Sequence, residues 1–211
     1  MHPAVDSHAT YDVTNVPAIV NGAVKLGLIE CIMVVLVSIV SHLLPNGALQ
    51  TILVALLVLI GLAAVTLLPG LWTRARTIEG IAGAAGIGLG ATLVFLLVDV
   101  TLLQNLGVWG NRWQALGGDS DWWYHPVWWM VGTFLPWFGA WMLAGQLVHG
   151  GRVSPVAAFV TALACAVVLA IVAVLIHVPL AGWNLGTFAV AFLPGLALAK
   201  LLTSLGAARR A

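Results

Sequence analysis

A chain of 211 residues that is 62% hydrophobic and 7% charged cannot cover a water-facing surface, because soluble domains carry roughly 25% charged residues. Its net charge of +1 argues against nucleic acid or an acidic protein as the main partner. The apolar excess is expected to face lipid, and at roughly 20 apolar residues per helical crossing the length holds about six spans and no sizeable soluble domain.

Residues 1–21 are polar at the start and lack a basic residue before Lys25, unlike the beginning of a cleaved signal peptide. They read as a short cytoplasmic tail retained in the mature protein. Residues 22–205 read as the membrane domain. The first apolar segment runs from Gly22 to Leu44 and stops at Pro45-Asn46-Gly47, and the second from Ala48 to Leu68, before Pro69-Gly70. The third extends from Glu79 to about Leu106, and a polar-aromatic loop then occupies residues 107–125. The fourth covers Pro126 to Val148, the fifth Ser154 to His177, and the sixth follows the turn Val178 to Asn184 and ends near Leu205. Gly and Pro at the breaks are the expected punctuation. Residues 206–211 form a basic cytoplasmic tail.

The segments must be helices, since backbone amides in hydrocarbon have to be satisfied within the segment and the runs are too long and too uniformly apolar for barrel strands. The expected fold is an all-α integral membrane bundle of about six helices. With that count, Lys25, Arg74, Arg76, Arg152, Lys200, Arg209 and Arg210 fall on one face and only Arg112 on the other. Excess Lys and Arg mark the cytoplasmic side, so both termini are expected inside, in a bacterial cytoplasmic membrane.

Trp109, Trp113, Trp122, Trp123, Tyr124, Trp128, Trp129 and Trp183 gather at the outer ends of segments. Indole favours the headgroup level, so these rings form either a heavy interfacial belt or a flat contact surface for a lipid, quinone, pigment or partner subunit. In the third segment Gly80, Ala84 and Gly88 recur at four-residue spacing, as do Ala82, Gly86 and Gly90. Such small residues let helix backbones approach closely, within the chain, in a self-associated form or against another subunit. Pro136 and Pro194 each remove a helix hydrogen bond and are expected to kink their helices.

Glu30 and Asp99 lie inside the spans, Glu30 about 12 Å from the cytoplasmic end of its helix and Asp99 about 10 Å below the outer end of its own. Intramembrane acids are costly and face the protein interior, where they form a proton or ion pathway or tie helices together. His42, His125 and His177 share the outer level with Asp119 and Asp121. Imidazole with carboxylate is a ligand set for zinc, copper or iron, although no HxxxH or HExxH spacing supports it, and haem ligation by His42 and His177 would require the first and fifth helices to be neighbours. Cys31 and Cys165 sit singly in apolar stretches and read as core residues. No nucleotide loop, GxSxG elbow or zinc-protease motif is present, so nothing marks an enzyme.

Three functions fit this reading: an accessory or scaffolding subunit of a larger membrane complex, surrounded by lipid and docking through the outer loop; a small solute, ion or proton-coupled transporter using Asp99 and Glu30; and a metal- or haem-dependent redox protein using the outer histidines.

Overall fold

The computed structural model describes residues 12–109, 124–148, 153–179 and 181–208, side chains at 124–127, 147–148 and 206–208 excepted. The described residues form helices and no strand. Five helices are long and apolar enough to cross a bilayer: α1 (Val16–Leu43), α2 (Ala48–Trp72), α3 (Ile78–Val98), α5 (Pro155–Leu175) and α6 (Leu185–Ala208). They make this a helical, multi-pass membrane protein. The helix α4 (Tyr124–Val148) lies between α3 and α5 in the chain.

Local chemistry sets where the helices begin. Helix α1 starts at Val16, six residues ahead of the apolar run, because the Asn15 side chain accepts from the Ala18 amide at 2.9 Å and Pro17 occupies the first turn. Ser154 caps α5 in the same way, with Pro155 following. Helix α2 continues through Pro69 to Trp72 instead of ending at Leu68. Pro69 removes only the amide that would bond the Val65 carbonyl, and the turn after it closes through the Thr73 amide and hydroxyl on the Pro69 carbonyl, each at 3.0 Å.

The cap of α3 comes from far away in sequence. Asp12 accepts from the Arg76 and Thr77 amides at 3.0 Å, the Gly80 amide at 3.1 Å and the Thr77 hydroxyl at 2.5 Å. The Val13 amide donates to the Thr73 carbonyl beside it. The N-terminal segment is thus pinned across the α2–α3 turn, satisfying amides that the helix start would leave open. Gly80 belongs to this latch, since a Cβ there would collide with the Asp12 carboxylate.

Helices α1 and α3 run parallel along a close seam. Gly22 lies against Ile87, Ala23 against Gly90, and Gly27 against the Ala91 carbonyl and Val94. The opposite side of α3 packs on α4: Ala84 and Ala140 share a buried cluster, and Gly88 faces Gly132 and Pro136. The small residues of α3 therefore serve two faces within one chain. Pro136 cannot donate to the Gly132 carbonyl four residues earlier. That carbonyl instead abuts Gly88, whose missing side chain makes room for it.

Helix α4 is the hub, packing on α2, α3 and α6, while α2 also leans on α1. Gly139 of α4 sits directly on the Thr66 carbonyl of α2, and Gly70 of α2 on Ala140. Helices α5 and α6 form an antiparallel hairpin in which Ala158, Ala162, Ala166 and Ala170, four residues apart, are all buried. They meet Phe192, Leu196 and Ala199, with Gly195 against the Ala166 backbone.

Candidate functional site

The most elaborate polar arrangement in a span surrounds Asp99, at the C-terminal end of α3. There the helix widens into a π turn, Asp99–Leu103, closed by the Gln104 amide on the Asp99 carbonyl at 2.9 Å. In an α-helix, residues five apart point to different sides of the axis. The wider turn brings Gln104 back over Asp99, and its Nε2 donates to Asp99 Oδ2 at 2.7 Å.

The chain then doubles back. Gly107 adopts φ +69°, the left-handed region that glycine enters without strain. The Val108 amide bonds the Leu103 carbonyl at 3.1 Å. This reversal delivers the Trp109 indole, whose Nε1 donates to Asp99 Oδ1 at 2.5 Å. Asp99 is fully buried, and each of its carboxyl oxygens receives an N–H donor in a region shielded from water, where hydrogen bonds are strong.

Helix α1 holds the same turn from the other side. Ser38 Oγ donates to the Val108 carbonyl at 2.6 Å. His42 Nδ1 lies 2.8 Å from the Ser38 carbonyl, an acceptor only, so Nδ1 carries the hydrogen. Around the acid, Cys31, Phe95, Leu96 and Leu103 form a buried cluster onto which Trp109, Trp128 and Trp129 pack. The Phe95 and Trp128 rings lie 4.5 Å apart at 46°, a tilted contact.

Glu30 shares the α1–α3 seam. It is 8% exposed, and no donor among the described residues reaches its carboxyl. From the pairing of Gly27 with Ala91 and Val94, it stands about one helical turn short of Asp99. Cys31, next to it in sequence, is buried as well.

The remaining residues singled out in the sequence are more dispersed. His42 and His177 are exposed and stand on helices with different neighbours: α1 packs on α2 and α3, whereas α5 packs chiefly on α6. His177 takes φ +56° at the end of α5. Among the described residues no three His, Cys, Asp or Glu side chains gather closely enough to hold a metal ion. Trp183 is exposed in the α5–α6 turn. Trp113, Asp119, Asp121, Trp122 and Trp123 fall outside the described residues, as do the side chains of Tyr124 and His125.

Three features had no sequence signal. Gln104 and Trp109 serve Asp99 only because of the π turn and the reversal at Gly107. Asp12 sits more than sixty residues from the amides it caps. Lys200, counted as a cytoplasmic charge, is buried with its ammonium 4.8 Å above the Trp141 ring, a cation–π contact.

No protein-family model, curated protein or solved structure matches the chain.

Proposed function

We propose that the protein is an accessory or scaffolding subunit of a larger complex in a bacterial cytoplasmic membrane, crossing it six times with both ends inside. In this reading the outer loop, residues 107–125, docks a partner or contacts its cofactor. One observation carries the reading. The root of the loop is fixed to the bundle interior by Trp109 on buried Asp99 and by Ser38 on the Val108 carbonyl. A connector would not need two part-buried bonds to the bundle, one of them to an acid that is expensive to place in a membrane.

The sixth crossing is α4. Its 25 residues extend about 37 Å, enough for a hydrocarbon layer of about 30 Å. It has no Asp, Glu, Lys or Arg, and its moderate apolarity comes from Trp, Gly and Pro. Outward ridges such as Leu28, Ile32 and Leu36 on α1 and Ile52, Leu56 and Ile60 on α2 are exposed and meet lipid.

The test is purification of the full chain from its native membrane in mild detergent, with quantitative mass spectrometry. A partner at fixed ratio in the wild type, depleted in W109F although the variant inserts equally well, supports the reading. A wild-type protein that elutes alone sinks it.

A further inference from the structure

The two membrane acids differ in a way that assigns them different work. Asp99 has an N–H donor on each oxygen, the environment of a structural anchor. Glu30 is buried but slightly less so, at 8% exposure, and its carboxyl meets no donor among the described residues. Its surroundings are apolar or already used: Gly27 lies against the Ala91 carbonyl and Val94, and Cys31 is packed with Phe95 and Leu96.

We propose that Glu30 is a proton-binding site within the membrane, exchanging its proton with solvent while Asp99 remains a fixed anchor. A carboxyl deep in a bilayer is tolerated when its charge is compensated, and no described residue on the seam does so. Among the described residues, the charged and titratable groups facing it are few. Helix α2 has none. Helix α3 presents Asp99 about one turn away, with Glu79 at its far end. On α1 itself stand Cys31, the exposed Lys25 more than a turn below, and His42 three turns above.

Among the described residues the site suits a proton better than a multivalent metal ion. Hard metal ions need six or more oxygen ligands, or about one to two carboxylates with a shell of water, and no metal-binding group assembles among the described residues. A carboxyl binds a proton alone, forming one O–H bond and losing its charge. The inference is independent of the docking reading: the site would remain if the protein proved to have no partner.

Infrared spectroscopy of the full-length protein in lipid vesicles tests it. At neutral pH the wild type should show the carbonyl band of a protonated carboxylic acid. The band should disappear reversibly on titration to alkaline pH, be lost in E30Q, shift but persist in E30D, and survive D99N. E30D keeps the carboxyl and so reports the site even if E30Q folds poorly. Absence of the band in the wild type overturns the proposal, as does its persistence in E30Q. A band that fails to titrate does so too, since it would mark a carboxyl sealed from solvent.

Discussion

Replacing Gly88 with Ala isolates the contact that joins the two halves of the bundle. A Cβ built there would lie 2.0 Å from the Gly132 carbonyl oxygen and 2.4 Å from Pro136 Cγ. Both fall well short of ordinary carbon contact near about 3.5 Å. Neither neighbour can swing aside, one being backbone and the other a ring closed on it. Helices α3 and α4 would have to separate by about 1 Å, which forfeits roughly a quarter to a half of the dispersion energy of the atoms they bring together. Overpacking of this kind costs about 1–3 kcal/mol and occasionally more. Ala gains up to about 1 kcal/mol over Gly inside a helix, so the net loss should be about 1 kcal/mol and up to about 2 kcal/mol. Gly86, half a turn away on the same helix, supplies the control. Its Cβ would meet Ile19 at 3.7 Å, an ordinary contact, so G86A should be neutral or stabilising by up to about 1 kcal/mol. Reversible unfolding in mixed micelles, followed by tryptophan fluorescence, measures both. Equal stability of G88A and G86A would refute the claim that close α3–α4 approach holds the bundle.

Three further outcomes follow from named contacts. D12A removes a cap that four donors share and should cost about 1–2 kcal/mol, with faster amide exchange at Thr77 and Gly80; unchanged exchange would remove the latch. Burial raises the Asp12 pKa, but the Thr77, Arg76 and Gly80 hydrogen bonds outweigh it and hold the group below its ordinary 3.8. Because the folded value is depressed, this stabilisation is complete above the unfolded value and lost as pH falls through the folded one, so wild type and D12A should converge only below about pH 4. In a double-mutant cycle, K200M and W141L should couple by about 0.5–2 kcal/mol; zero coupling would reduce the contact to proximity.

Much of the fold was readable because the bilayer leaves few options. Length, apolarity and Gly/Pro punctuation located most helix ends to within a few residues, the start of α1 excepted, and the burial of Glu30 and Asp99 followed from the expense of lipid-facing charge. Small residues at Gly80, Ala84 and Gly88 announced close approach, but spacing carries no information about the partner. Ala84 and Gly88 meet α4, whereas Gly80 makes room for a carboxylate. The end of α2 was misplaced because Pro69 withholds an amide only from the Val65 carbonyl, and the last turn still closes beyond it through the Thr73 amide on the Pro69 carbonyl. The surroundings of Asp99 were illegible for a definite reason: one extra residue in a helical turn changes which side chains share a face, and no periodic pattern encodes that. Lys200 shows the same limit, since a charge count cannot tell a solvated lysine from one resting on an indole.

The central claim, that the outer loop anchored through Asp99 is a docking surface, is tested most directly by photocrosslinking in the native membrane. A photoreactive phenylalanine analogue would replace Trp122 in the loop or, in a separate protein, Leu205 near the opposite end. The account predicts one discrete protein adduct from position 122, weakened by W109F, and only lipid adducts from position 205. Lipid adducts alone from both positions, or the same protein adduct from both, would contradict it.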